Sequence, residues 1–199
     1  MTEEKFLVPT DVYLKSGIHI GTKFKTKYME KFIYKTRPDG LSVLNLQKVN
    51  ERLGIAAKFL ARYAPEDILI VGRRESAWKP ISAFGKITGA KVYAGRYPPG
   101  ILTNPKLDNY IEVKILLVVD VWPDRNVVMD AIKMGIPVIA FCDTNNQSNN
   151  IDFIIPGNNK GKKSLGLFFW ILAREYLKAR EIIKKDQDFK EKLEDFTEE

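Results

Sequence analysis

Five short runs of apolar, mostly branched residues, at residues 68–72, 91–94, 115–119, 137–140 and 153–155, alternate with helical stretches across residues 77–88, 125–134 and 164–185. ILIVG at 68–72 and ILLVV at 115–119 show no polar alternation, the pattern of strands buried on both faces. Strands joined through helices connect by right-handed crossovers, so the sheet should be parallel and covered on both sides. Five such strands predict a flavodoxin-like, doubly wound α/β sheet in the order 2-1-3-4-5. Ahead of it, Leu46, Val49, Leu53, Ala56, Leu60 and Tyr63 share one helical face across residues 46–64, with Asn45 placed to cap. The last helix repeats Leu165, Phe168, Phe169, Leu172, Tyr176, Ala179 and Ile183, a stripe suited to the core.

Two segments break this alternation. Residues 95–112, GRYPPGILTNPKLDNYIE, stand where a crossover helix belongs, but Pro98, Pro99, Gly100 and Pro105 forbid a regular one. Residues 32–34 and 42–44 flank KTRPDG as the arms of a small hairpin. One domain over residues 1–185 follows, with an acidic tail at 186–199, DQDFKEKLEDFTEE, that either extends the last helix or frays. Fraying is expected near its final residues.

In an open α/β sheet ligands bind beyond the carboxyl ends of the strands. The first of these ends in VGRRESAW, where Arg73 and Arg74 replace the glycines that a dinucleotide pyrophosphate requires. The two arginines either grip phosphates or form a solvated turn. Asp120, after the third strand, stands where receiver domains carry a phosphoacceptor, yet the acidic pair and the lysine of such a site are replaced by Arg73–Arg74 and by PGNN. Asp120 is expected to turn the chain before Pro123. The loop PGNNKGKKS resembles a P-loop, but Gly157 and Gly161 stand one residue too close. What remains is a helix start flanked by Lys160, Lys162 and Lys163, an anion site in which Ser164 is the expected cap. His19 is the single histidine and Cys142 the single cysteine, so one chain assembles neither a disulfide nor a Cys/His zinc cluster. His19 reads as structural and Cys142 as buried.

The net charge is +7, but residues 186–199 hold seven acids against Lys190 and Lys192, which leaves residues 1–185 with 30 basic to 18 acidic groups, a net +12. A body so charged concentrates at polyanions, either nucleic acid or an anionic membrane. Residues 15–37 hold seven bases against Glu30 alone. If this segment is extended, Lys23, Lys25 and Lys27 line one edge about 7 Å apart, either tracking a phosphate backbone or forming an ordinary solvated strand, and Gly17, Gly21 and the interleaved aromatics favour the first. A membrane-surface helix would need a different period. No apolar run reaches the length of a membrane span, and MTEEKFLVPTD is too polar for a secretory signal, so the cytoplasm is the expected location.

SGIHIGT at 16–22, FIYKTRPDGLSVLNL at 32–46, ILIVGRRESAWKP at 68–80, GRYPPGILTNP at 95–105, IPVIAFCDTNN at 136–146 and IIPGNNKGKKS at 154–164 together resemble the family of small-subunit ribosomal protein two, in its archaeal and eukaryotic form. The blocks follow in order along nearly the whole chain. The resemblance implies a flavodoxin-like domain without catalysis, cofactor, metal or small-molecule substrate. Its partners would be small-subunit ribosomal RNA, near the junction of head and body on the solvent side, and other small-subunit ribosomal proteins. Bacterial relatives carry a helical hairpin before the third sheet strand; only residues 105–114 fill that interval, so no projecting coiled coil is expected. The sequence has no counterpart of the long carboxyl extension of eukaryotic members, so laminin binding is not expected of it. For contact with RNA the reading selects Lys23, Lys25, Lys27 and Arg37, then Arg73, Arg74, Arg96, Lys160, Lys162 and Lys163. Tyr97 either stacks on a base or packs under its own loop. The competing reading is a flavodoxin-like enzyme or receiver working through Asp120 or Asp143.

Overall fold

The branched runs become strands because each side chain finds a neighbour of matching shape across the pleat. A computed structural model describes residues 6–197. Its main sheet comprises β3 (Ile68–Gly72), β4 (Lys91–Ala94), β5 (Ile115–Val118), β6 (Val138–Cys142) and β7 (Phe153–Pro156). The strand order is β4-β3-β5-β6-β7 and every pairing is parallel, which is the predicted 2-1-3-4-5 arrangement. All residues of β3, β5 and β6 are buried, as expected of unalternated apolar runs.

The helices divide between the faces. Three of them, α3 (Leu46–Leu60), α4 (Glu75–Thr88) and α6 (Lys162–Ala179), pack together, with α6 between the other two. Phe84 of α4 meets Phe169 of α6 edge to face at 5.9 Å, while Phe168 stacks on Phe141 of β6 at 4.0 Å. The Asn45 side chain accepts the Gln47 N–H at 2.9 Å and so caps α3 as expected. Right-handed crossover places α5 (Arg125–Met134) on the other face. Residues 95–112 pack against it as turns, in place of a second helix: the Tyr97 hydroxyl (3.3 Å) and the Gly100 N–H (2.9 Å) both donate to Asp130. Residues 105–114 contain turns and no helix.

Ahead of the sheet come α1 (Thr10–Ser16), a single helical turn α2 (Lys27–Glu30), and the antiparallel hairpin of β1 (Ile33–Thr36) and β2 (Ser42–Leu44). Basic segment 15–37 is therefore not one extended strand. Lys23 and Lys25 precede α2, whereas Lys27 opens it, so the regular spacing of three lysines along one strand edge does not form.

Three expectations at the chain's end are corrected. Helix α6 begins at Lys162, so Ser164 lies inside it and its hydroxyl donates to Asn158 O at 2.6 Å instead of capping. The helix stops at Ala179, not near Lys185. Glu181 adopts φ +60°, and Arg180 reaches Tyr63 O at 2.8 Å. A left-handed residue closes a helix even without glycine when such contacts offset the strain. Residues 186–197 neither extend the helix nor fray: Phe196 is fully buried, Trp170 Nε1 donates to Glu191 O at 2.8 Å, and Lys79 Nζ donates to Thr197 O at 2.7 Å. The tail is thereby strapped across α4 and α6. Glu198 and Glu199, part of the segment where fraying was expected, lie outside the described residues.

Candidate nucleic-acid interface

Residues 17–26 form an arm that lies across the carboxyl ends of β6 and β7. Asn158 N–H, after β7, donates to Ile18 O at 2.9 Å. Thr22 N–H donates to Thr144 Oγ1 at 2.9 Å and Thr26 N–H to Thr144 O at 3.0 Å, both after β6. The Thr26 hydroxyl adds a bond of 2.7 Å to Asn146 O. This seat needs two glycines. A Cβ on Gly21 would stand 2.4 Å from Thr144 Cγ2, and one on Gly157 would stand 2.2 Å from the Phe141 ring. The arm and hairpin meet through Gly21 N–H to Ser42 O at 2.9 Å. Burial holds the half-buried His19 below the usual histidine range, which favours a neutral, structural ring.

Beside the arm, the carboxyl edge of β5 is closed by its own groups. Asp120 is 1% exposed. One of its oxygens accepts Arg74 Nε at 2.7 Å and pairs with Arg74 Nη2; the other accepts Trp122 N–H at 3.2 Å and Asn146 Nδ2 at 2.9 Å. Four donors fill the four acceptor positions of a carboxylate, so Asp120 has none left for a metal, a phosphoryl group or a substrate proton. Asn146 Oδ1 in turn accepts Asp143 N–H at 2.7 Å and Asn159 Nδ2 at 3.0 Å. Asp143 pairs with Lys160 at 3.0 Å. The DTNN and PGNN blocks thus form one hydrogen-bonded network under the arm. No group of His, Cys, Asp and Glu among the described residues is arranged to hold a metal ion, and burial pushes the Cys142 thiol far up.

Asp124, next to this network and 3% exposed, is pushed up to about 7 by burial, against the pull of the Arg73 N–H and with Asp120 adding to the rise. The unfolded chain releases this proton from about pH 4, the folded chain only near pH 7, so the folded state binds more protons between the two. Stability supplied by the neutral form is full below about pH 4 and declines as pH rises, by up to about 1.4 kcal/mol per pH unit. Asp124→Asn keeps the acceptor for Arg73 and removes the titration. Urea denaturation of both proteins should show the variant's relative stability growing from about pH 4 to 7 and levelling above; a pH-independent difference would contradict this assignment.

The predicted contact residues separate into two groups. Lys23, Lys25, Lys27, Arg37, Arg73, Arg96, Lys162 and Lys163 are exposed. Of these, Lys25 stands 3.8 Å from Glu30 and Arg37 stands 3.3 Å from Asp39, all four partners solvent-exposed. Pairs of that kind are weak and open readily to a phosphate. Arg74 and Lys160 belong to the second group, held by Asp120 and Asp143 inside the network. Tyr97 is a correction. It is 4% exposed, donates to Asp130 and accepts the Leu102 N–H at 3.2 Å, so it packs under its own loop and offers no face to a base.

A family model described as ribosomal protein S2 matches residues 13–114 and 110–179. The chain belongs to the ribosomal protein S2 family. It is 52% identical over 196 residues to the small ribosomal subunit protein uS2 of Picrophilus torridus, with 98% of both chains covered. Its identity to the uS2 protein of Nanoarchaeum equitans is 51% over 190 residues, covering 96% of this chain and 94% of that one. To the Saccharolobus solfataricus uS2 protein it is 48% over 192 residues, with 96% and 83% covered. The S2 family consists of structural proteins of the ribosome, not enzymes, in agreement with the saturated Asp120 and with the α/β sheet described above.

Two features of this S2 edge escaped the sequence reading. Arg125, at the first residue of α5, is exposed and has no ion pair among the described residues. Trp122 is 76% exposed between Asp120 and Pro123. A tryptophan before proline at a strand end was the available signal, since that ring has no helix or strand face to join. Phe24 (81% exposed) and Trp78 (43%) stand with them on the basic side, Trp78 Nε1 donating to Arg73 O.

Proposed function

We propose that this small-subunit ribosomal protein binds small-subunit ribosomal RNA along the carboxyl edge of its sheet, acts as a structural constituent in assembly and translation, and contacts neighbouring ribosomal proteins in the cytoplasm. The observation that carries this reading is the sorting of charge at one edge. Arg73 follows β3, Arg96 follows β4, Arg125 follows β5, Lys162 and Lys163 follow β7, and the arm adds Lys23, Lys25 and Lys27. Of the acids at that edge, Asp120 and Asp143 are consumed internally and Asp124 is buried, which leaves Glu75 exposed among these cations. A surface so arranged takes phosphates without sequence preference and is positioned by them. Residues up to 185 serve as the RNA-binding domain and the strapped tail stabilises it. No helix among the described residues is long and apolar enough to cross a membrane.

The test is binding of the purified protein to small-subunit ribosomal RNA across a salt series. Five or more phosphate contacts predict a slope of log affinity against log salt of about −4 or steeper. A slope near −1 would contradict the proposal.

A further inference from the structure

We infer that the cleft between the loops after β5 and β6 is a seat for one unpaired nucleotide of the RNA, with its base on Trp122 and its phosphate at Arg125. This rests on the RNA-binding reading above and adds a base-contacting site to a surface otherwise suited to phosphates. The cleft has a volume of about 410 Å³ and is lined by Trp122, Arg125, Asn145 and Gln147 over the Arg74–Asp120 pair. It lies beyond β3 and β5, where the strand order of the sheet reverses and where enzymes of this architecture bind nucleotides. Here the Arg74–Asp120 pair forms the floor, so Arg74 is not free to donate to a pyrophosphate.

What stays free has a definite chemistry. The Trp122 backbone is pinned by Asp120 on one side and Pro123 on the other, so the indole is presented on a stiff turn. Asn145 gives its oxygen to Lys160 at 3.2 Å, which leaves its amide N–H groups for a base edge. Gln147 makes no hydrogen bond among the described residues and offers both donor and acceptor. Arg125 supplies an uncommitted guanidinium at the start of a helix, where anions are favoured. One aromatic face, two amides and one cation match an unstacked nucleotide, the form in which proteins read RNA bases.

Trp122→Ala tests this, because residue 122 is exposed and its loss leaves the core intact. Small-subunit ribosomal RNA is titrated into wild type and variant at several salt concentrations, with indole emission and affinity both recorded. Quenching in the wild type that is smaller in the variant, which retains Trp78 and Trp170, is expected. Affinity should fall by about 5- to 150-fold, the range for one stacked base, with the salt slope unchanged because no phosphate contact is lost. Equal affinity and equal quenching in the two proteins, with the steep slope retained, would overturn the nucleotide seat while leaving RNA binding in place. Loss of the slope in wild type would overturn both. Adenosine and uridine monophosphates form a separate arm: saturable quenching of Trp122 below millimolar concentration would assign the cleft to a free nucleotide and overturn the RNA assignment. Quenching produced only by added small-subunit proteins would overturn it in favour of a protein contact.

Discussion

Asn146→Ala should lower folding stability by about 2–4 kcal/mol, or the melting temperature by about 5–15 °C for a chain of this size. The Asn146 side chain is 4% exposed and joins the ends of three strands. It accepts from the Asp143 main chain at 2.7 Å and from Asn159 at 3.0 Å, and donates to Asp120 at 2.9 Å. Truncation leaves two buried donors unmatched and returns one acceptor position of Asp120 to an unfilled state. Because Thr26 is bonded to Asn146 O and Thr144 O, the arm should also loosen, giving faster tryptic cleavage at Lys23 and Lys25. Asn146→Asp separates geometry from volume. The new carboxyl still accepts but faces Asp120 as a like charge, so its folded-state pKa is raised. Its destabilisation should match or exceed that of the alanine variant at pH 7 and ease as pH falls toward 4, where a neutral acid can donate to Asp120. A loss below about 1 kcal/mol with unchanged tryptic protection would show that the network does not hold the arm.

Replacing Lys23, Lys25 and Lys27 together with alanine should weaken binding to small-subunit ribosomal RNA by about 100-fold at 0.1 M salt and flatten the salt dependence by about two to three log units per log salt. All three side chains are exposed, and the backbone that carries them is held by Thr22 and Thr26, so the variant should fold with wild-type stability. The arm's fixed seat spares RNA binding the entropy of ordering a free segment, which is why three charges should count nearly in full. Lys25→Ala alone should have the smallest effect, since its ammonium is already shared with Glu30 at 3.8 Å. Filter binding or fluorescence anisotropy across a salt series reads both quantities. An unchanged slope in the triple variant would transfer the main contact to Arg73, Arg96, Arg125 and Lys163.

The strands, the hairpin around KTRPDG and the Asn45 cap were legible because each depends on residues near one another in sequence: branching, turn residues and a side chain two positions from its amide. The same locality misled at the ends of the last helix. Nothing between Ala179 and Lys185 breaks a helix by composition, and the stop comes from Arg180 bonding to Tyr63 and from Asp186 pairing with Arg174 at 3.3 Å. Burial of Phe196 against α6 is likewise invisible in a segment whose composition is that of a solvated tail. Tyr97 offered two readings, and Asp130, 33 residues away, decided between them.

By itself, then, the sequence determined the parallel five-stranded sheet, the basic arm ahead of it and the lack of catalytic partners for Asp120, because periodicity and residue type are local properties. Tertiary structure alone decided which cations remain available. Arg74 and Lys160 sit beside lysines and arginines of equal formal charge, yet they are neutralised by carboxylates 46 and 17 residues distant, whereas the side chains of Arg73, Arg125 and Lys163 form no ion pair among the described residues. Charge is written in the sequence. Its neutralisation depends on distances of a few ångströms, which only the folded chain sets.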